Sequence, residues 1–170
     1  AAAISPKTAA LVPTHIMGNA VDMAAIALLS QEHGLWIIED SCEALGTQYA
    51  DRWVGSHGDI GTFSFYFSHH ISTIEGGMVI TDSEEIADIL RCLTAHGWIR
   101  ETKRAKEYTH AYPDIDPRFL FANTGFNLRS TEINAAIGLV QLERLPEMNA
   151  RRQAIARYWD ESFESLRERG

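Results

Sequence analysis

The stretch "LWIIED", residues 35–40, decides the fold that we predict for this chain. Four apolar residues follow one another without alternation, and two carboxylates, Glu39 and Asp40, end the run. A continuous apolar run is typical of a parallel strand that is covered on both faces. Ligands bind at the carboxyl ends of such strands. Asp40 is therefore a candidate functional residue, and a capping role is the alternative interpretation.

The segments before this run complete a strand–helix–strand unit. "TAALVPTH" (8–15) is a short apolar run that reaches a proline, as a buried strand entering a loop does. A helix follows, because apolar residues recur at helical spacing from Val21 to Leu29 and Gly34 comes where a helix stop is expected. This order predicts a βαβ unit.

The segments after this run predict further strands. "FSFYFSHHISTIEGGMVITD" (63–82) begins with a strand-like aromatic run, and "GGMVITD" (76–82) has the pattern of a second strand that could be its neighbour. Together with the βαβ unit, these strands predict an α/β fold whose sheet is mixed but mostly parallel and lies between helices.

Helices are predicted for most of the remaining chain. A helix capped near Ser83 is expected to run through Leu93, and "STEINAAIGLVQLERL" (130–145) is amphipathic, with Ser130 as its cap. A further helix is expected in the last stretch. The polar segment 97–124 lacks a sustained period, so we predict a long loop there.

Composition limits the possible functions. The 170 residues carry a net charge of −8 with a pI near 5.3, so the chain lacks the basic surface that nucleic acid or an anionic membrane requires. Cys42 and Cys92 are far apart and form no CxxC pair, which favours a reducing, cytoplasmic compartment over a disulfide scaffold. We find no membrane span or signal peptide pattern, and we expect the chain to be a piece of a longer protein.

Glycines and a serine between residues 55 and 64 allow two interpretations each. Gly55, Gly58 and Gly61 recur every third residue, but they do not form the GxGxxG pattern of a dinucleotide site, so a plain turn is the better interpretation. Ser64 lies among aromatic residues, where its hydroxyl binds either a phosphate or the local backbone.

Two adjacent histidines, His69 and His70, are the most unusual feature of the sequence. Neighbouring side chains of an extended chain point to opposite sides, so the pair is poorly placed to bind one metal together. One histidine is expected to face a pocket while the other packs. A metal site that adds His57 lacks carboxylate or cysteine partners at ligand spacing, and we predict no metal.

Four blocks of sequence together resemble one family. They are "IIEDSCEALGTQY", "RWVGSHGDIGTFSFYFSHHISTIEGGMVITD", "LTAHGWIRE" and "GFNLRSTEINAAIGLVQLERL". In this order and spacing they resemble the DegT/StrS group of sugar aminotransferases, which are fold-type I enzymes that use pyridoxal phosphate (PLP) on nucleotide-linked keto sugars. The resemblance covers residues 4–150. It implies that residues 1–146 belong to the PLP-binding large domain and that residues 147–170 form a helix leading to a small domain.

The resemblance also implies roles for five residues. Asp40 matches the aspartate that pairs with the pyridine nitrogen of the cofactor, and Ser64 matches the serine that binds its phosphate. Glu43 stands where the family often has glutamine, near the phenolic oxygen of the cofactor. Asn127 and Arg129 lie in a block that reaches the active site of the partner subunit, which implies a homodimer.

The decisive departure from the family pattern is at His69. The family has a lysine six residues before the glutamate of "EGG", and here that position is His69, which cannot bind the cofactor covalently as lysine does. The chain therefore resembles a branch of nucleotide-sugar 3-dehydratases, in which pyridoxamine phosphate (PMP) is held without a covalent link. In that branch His69 would act as a general base on a 4-keto-6-deoxyhexose, in deoxysugar synthesis for cell-surface polysaccharide or O-antigen.

Other members of that branch carry an iron–sulfur cluster, but no cysteine follows Cys92 here. We therefore expect the type that regenerates its cofactor from an amino donor such as glutamate. Two alternatives stay open: an aminotransferase in which histidine replaces lysine, and a non-catalytic relative that binds sugar nucleotides.

Overall fold

The computed structural model describes residues 2–167, which form a four-stranded sheet with helices. The strands of this sheet lie in the order β1, β2, β5, β6, and β3 and β4 form a separate two-stranded hairpin. The strands are β1 (Ala10–Leu11), β2 (Trp36–Asp40), β3 (Gln48–Tyr49), β4 (Arg52–Trp53), β5 (Ile60–Ser64) and β6 (Gly77–Ile80). The helices are α1 (Met23–His33), α2 (Glu84–Thr94), α3 (Ala105–Ala111) and α4 (Glu132–Arg167).

The sheet is mixed and mostly parallel, as the sequence predicts. β1 and β5 both pair with β2 in parallel, while β6 pairs with β5 in the antiparallel direction. The register places Glu39 opposite Gly61 and Asp40 opposite Thr62, so the carboxylates that end β2 lie beside the middle of β5. The predicted βαβ unit is confirmed as β1, α1 and β2.

Local capping explains where α1 begins and ends and where α2 begins. The Asp22 carboxylate accepts the backbone N–H of Ala25 at 3.2 Å, and Gly34 ends α1 in the left-handed conformation with φ +64°. The Tyr49 hydroxyl donates to Asp22 at 2.7 Å and, with that backbone bond, holds the pKa of Asp22 below its usual value. The hydroxyl of Ser83 caps α2 as predicted.

Four sequence predictions about local structure are wrong. β5 ends at Ser64, and the aromatic segment that follows it forms turns and bends rather than more strand. The predicted loop 97–124 contains α3 and a 3₁₀ turn at Pro117–Phe119. The two helices expected after residue 130 form one continuous helix, α4, and the cap hydroxyl belongs to Thr131 instead of Ser130.

Helix α4 passes through Pro146 without ending. A proline lacks the N–H that would bond the carbonyl four residues earlier, so it removes one helical hydrogen bond. Two asparagine side chains fix α4 to the loops beside the sheet: Asn134 donates to the Thr73 carbonyl at 2.5 Å, and Asn149 donates to the Leu45 carbonyl at 3.0 Å. The division into domains near residue 146 stays a prediction.

Much of the apolar surface of α4 is exposed in a single chain. Ile133 is 72% exposed and Leu139 is 67% exposed, whereas residues such as Ile37, Val54 and Ile99 are buried in the core. Among residues 2–167, no helix is both long enough and apolar enough to cross a membrane.

Replacing Gly34 by alanine tests the ending of α1. Only glycine adopts φ +64° without strain, so we expect Gly34→Ala to lower the free energy of unfolding by about 1–2 kcal/mol. The measurement is urea unfolding of the longest natural polypeptide that carries this sequence. Gly34→Asn is the matched control, because asparagine tolerates the left-handed conformation better, and its loss should be smaller. Equal stability of the alanine variant and the wild type would contradict this account.

Candidate active site

Asp40 lies at the carboxyl edge of the sheet, where the sequence predicts a ligand site. Its backbone carbonyl accepts the N–H of His15 at 3.0 Å, and its side-chain Oδ1 accepts the N–H of Cys42 at 3.1 Å. The side chain is half-buried. The carboxylate is therefore held by the backbone at one oxygen while it stays accessible at the sheet edge.

His69 lies in the turn after β5 and meets the same short segment of backbone. Its Nδ1 is 2.6 Å from the carbonyl oxygen of Cys42. A carbonyl only accepts hydrogen bonds, so Nδ1 carries the proton and Nε2 of the neutral ring keeps its lone pair. The peptide units around Cys42 thus bond Asp40 through their N–H and His69 through their carbonyl. The structure brings these two predicted residues together.

The thiol of Cys42 lies beside the Asp40 carboxylate. Burial, followed by the hydrogen bond and the charge of Asp40, raises the pKa of Cys42 to about 11. The thiol is therefore protonated at neutral pH, and it adds no negative charge beside Asp40.

His70 occupies a different environment from its neighbour. It is half-buried, and burial lowers its pKa, assisted by the nearby Arg152 and His69, while Glu43 acts in the opposite direction. Arg152 belongs to α4. The two histidines therefore differ in their surroundings: His69 bonds the Cys42 carbonyl, and the pKa of His70 is lowered mainly by burial.

Glu43 and Ser64 are also held by backbone groups. Glu43 is exposed, and its Oε2 accepts the N–H of Met17 at 2.8 Å from a turn in which Met17 has φ +54°. Ser64 ends β5, and its Oγ accepts the N–H of Tyr66 at 3.2 Å. Because that bond uses a lone pair of Ser64, its hydroxyl proton is left to donate to a ligand.

Asn127 and Arg129 are not brought to this cluster within the single chain. The segment around them runs antiparallel to residues 94–96, with Asn127 bridged to Ala95, and both side chains are exposed. Within the described chain neither forms a hydrogen bond to Asp40, Glu43 or His69.

Glu39 and His15 are residues that the sequence reasoning missed. Glu39 is fully buried, and its carboxylate accepts backbone N–H groups of Gly55, His57 and Gly58 at 2.6–2.7 Å. The Nε2 of His15, also fully buried, lies 3.1 Å from its Oε2. The sequence signal for Glu39 is a carboxylate in the last-but-one position of an otherwise apolar strand. Alternate strand residues face opposite sides, so Glu39 and Asp40 could not both face the ligand edge.

The histidines do not form a metal centre in the part of the chain that the structure describes. Across residues 2–167, no three His, Cys, Asp or Glu side chains lie close enough together to hold a metal ion. His57, the third residue of the possible metal site considered above, instead lies 3.3 Å through its Nε2 from the carbonyl of Arg52.

The chain belongs to the DegT/DnrJ/EryC1/StrS aminotransferase family, whose profile matches residues 1–170. Among similar curated proteins is the GDP-4-keto-6-deoxy-D-mannose 3-dehydratase of Yersinia pseudotuberculosis, which is 40% identical over 168 residues. The alignment covers 96% of this chain but 42% of that protein, so the chain spans about two fifths of the length of such relatives.

Solved structures show the same fold. An aminotransferase from Psychrobacter cryohalolentis has a TM-score of 0.86 at 34% identity, covering 99% of this chain and 42% of that one. The E. coli GDP-4-keto-6-deoxy-D-mannose-3-dehydratase with bound hydrated PLP gives 0.85 at 34% identity, covering 96% and 42%. A GDP-4-keto-6-deoxymannose-3-dehydratase with a trapped PLP-glutamate geminal diamine gives 0.82 at 31% identity, covering 96% and 43%. The predicted fold of a PLP-dependent transferase large domain is confirmed.

The environment of Cys42 can be tested by alkylation. A rise in pKa from 9.0 to about 11 leaves about a hundredfold less thiolate at pH 8, so Cys42 should react with iodoacetamide about a hundredfold more slowly than a free thiol. The rate should increase with pH until about 11. Mass spectrometry of the Cys42 peptide measures it in a Cys92→Ser background. Reaction at the rate of a free thiol would contradict the assigned environment.

Proposed function

We propose that this chain carries the catalytic base and the main cofactor ligands of a PLP/PMP-dependent 3-dehydratase of nucleotide-linked 4-keto-6-deoxyhexoses. The observation that carries the proposal is the geometry of His69, which stands in the position of the family lysine and has its Nδ1 bonded to the Cys42 carbonyl. This geometry leaves Nε2 as a base. The similarity to a 3-dehydratase of GDP-4-keto-6-deoxy-D-mannose supports this class of substrate.

The residues at the sheet edge fit the cofactor. Asp40 offers a carboxylate to a ring nitrogen, Ser64 offers a hydroxyl proton to a phosphate, and Glu43 offers its second oxygen to the phenolic side of the ring. When bound, PMP supplies the amino group that condenses with a ketone and a ring that accepts electrons. The carboxylate of Asp40 would stabilise the protonated ring nitrogen on which that electron acceptance depends.

We assign to His69 the roles of general base and general acid. With PMP bound, its Nε2 would accept a proton from the carbon that carries the amino group and would pass that proton to the C3 hydroxyl, which would leave as water. The carbonyl of Cys42 keeps the imidazole oriented throughout and stabilises the imidazolium through the Nδ1–H bond. The lysines of the chain, Lys7, Lys103 and Lys106, all lie outside the segment between β5 and β6.

An aminotransferase is the second candidate function. The similarity to the Psychrobacter cryohalolentis aminotransferase, at 34% identity and a TM-score of 0.86, supports it. The shared fold does not separate the two reactions. The two candidates differ in the product. A dehydratase removes the C3 oxygen and leaves a ketone at C4, whereas an aminotransferase leaves an amine.

The proposal extends to the partners and location of the enzyme. We place Asn127 and Arg129 in the active site of a second copy, since both are exposed and unconnected to the cluster in their own chain. The exposed apolar surface of α4 supports a homodimer. Glutamate is the proposed amino donor. A cytoplasmic location agrees with the free thiols of Cys42 and Cys92.

Product analysis tests the proposed reaction. The longest natural polypeptide that carries this sequence is incubated with PMP, glutamate and a panel of nucleotide 4-keto-6-deoxyhexoses that includes GDP-4-keto-6-deoxy-D-mannose. We expect mass spectrometry to show a product that has lost the C3 oxygen and kept its ketone. A product with a new amine and an intact C3 hydroxyl would establish the aminotransferase and overturn the role of His69.

Replacing His69 by lysine tests the base directly. Lysine binds the cofactor covalently, so His69→Lys should give an adduct with PLP that borohydride reduces, and dehydration should fall at least a hundredfold. His70→Asn is the matched control, because His70 is the adjacent histidine and is half-buried like His69, and it should keep dehydration within about tenfold of wild type. Both rates are measured by mass spectrometry. Unchanged dehydration in the lysine variant would show that His69 is not the base.

A further inference from the structure

The proposed chemistry makes no use of Glu39, although its carboxylate is fully buried beside the site. All four groups that contact it are donors or carry a ring N–H: three backbone N–H groups and His15 Nε2. Such charge-assisted bonds favour the ionised carboxylate over the acid, since an acid proton would find no acceptor among them. A buried charge is costly unless it is fully bonded in this way.

The bonds of His15 determine which of its nitrogens carries the proton. Its Nδ1 accepts the backbone N–H of Val21 at 3.1 Å. Nδ1 is therefore unprotonated, and Nε2 holds the hydrogen that it donates to Glu39. His15 is a neutral link between the carboxylate and the loop that precedes α1.

The glycines between residues 55 and 61 bring a second loop to the same carboxylate. A side chain at Gly58 would place its Cβ 2.6 Å from Ile37, and one at Gly55 would place it 2.6 Å from the ring of Phe63. Gly55 also has φ +86°. Within this turn, Gly55 and Gly58 thus form part of a backbone nest that binds Glu39.

The loop of His15 also bonds two residues that would hold the cofactor. The N–H of His15 bonds the backbone carbonyl of Asp40 at 3.0 Å, and two residues later the N–H of Met17 bonds the Glu43 carboxylate at 2.8 Å. Since Glu39 directly precedes Asp40 on β2, anchoring Glu39 on one face also prevents the strand end from rotating and directs Asp40 to the other face.

We propose that Glu39 is the positioning residue of the candidate active site, and that it acts through His15 to preset Asp40 and Glu43 for the cofactor. The inference rests on the proposed function and adds the residue on which the geometry of the cofactor ligands depends.

The test compares two buried carboxylates in the longest natural polypeptide that carries this sequence. Glu39→Gln turns an NH₂ group toward backbone donors, so the PMP dissociation constant, measured by titration calorimetry on folded protein, should rise at least tenfold. Asp88→Asn is the control, because Asp88 is also buried and accepts the N–H groups of Lys103 and Arg104. It should lose stability while its PMP affinity stays within twofold of wild type.

A second pair of variants supports the test if Glu39→Gln does not fold. His15→Gln keeps a donor toward Glu39 and should bind PMP within threefold of wild type, whereas His15→Leu removes the donor and should bind at least tenfold more weakly. Suppose that the wild type binds PMP. If Glu39→Gln then binds PMP with unchanged affinity, or if the two His15 variants bind it equally well, this inference is wrong while the proposed function stands. A wild type that binds no PMP overturns the proposed function, and the inference with it.

Discussion

Burying the charge of Glu39 requires donors on every side, and this requirement shapes the carboxyl edge of the sheet. The donors come from two loops that are distant in sequence, one through His15 and one through the backbone near Gly55 and Gly58. Each loop must approach the strand closely, which explains why glycines occur where a side chain would collide with Ile37 or Phe63. This edge of the sheet therefore encloses the Glu39 carboxylate even without a bound ligand.

Two neighbouring carboxylates at this edge have opposite tasks because a strand alternates its faces. Glu39 points inward and is saturated with protein donors, while Asp40 is half-buried and accessible. From Asp40 the chain turns at once, and the backbone of Cys42 bonds both Asp40 and His69. Under the proposed function, this hydrogen bond would orient a histidine that replaces the family lysine and forms no covalent bond to the cofactor.

Much of the fold could be predicted because its signals are local. The apolar run before Asp40, the stop at Gly34 and the cap at Ser83 all lie where the structure has element ends. The continuity of α4 was missed because a proline inside a helix costs only part of its bonding, and packing through Asn149 compensates. The resemblance predicts Asp40 and His69 as site residues, but the nest of Glu39 consists of backbone N–H groups, and those have no sequence signature beyond glycine.

The protonation of His69 depends on a carbonyl 27 residues away, which no sequence pattern reveals. The central claim, that Nε2 of His69 is the base, depends on this protonation state. The most direct test is ¹⁵N NMR of the imidazole nitrogens of His69 in the neutral ring, assigned with a His69→Asn variant. Our account predicts a protonated Nδ1 and an unprotonated Nε2. A protonated Nε2 with a bare Nδ1 would contradict it, because no lone pair would then be available to take the proton from the substrate side.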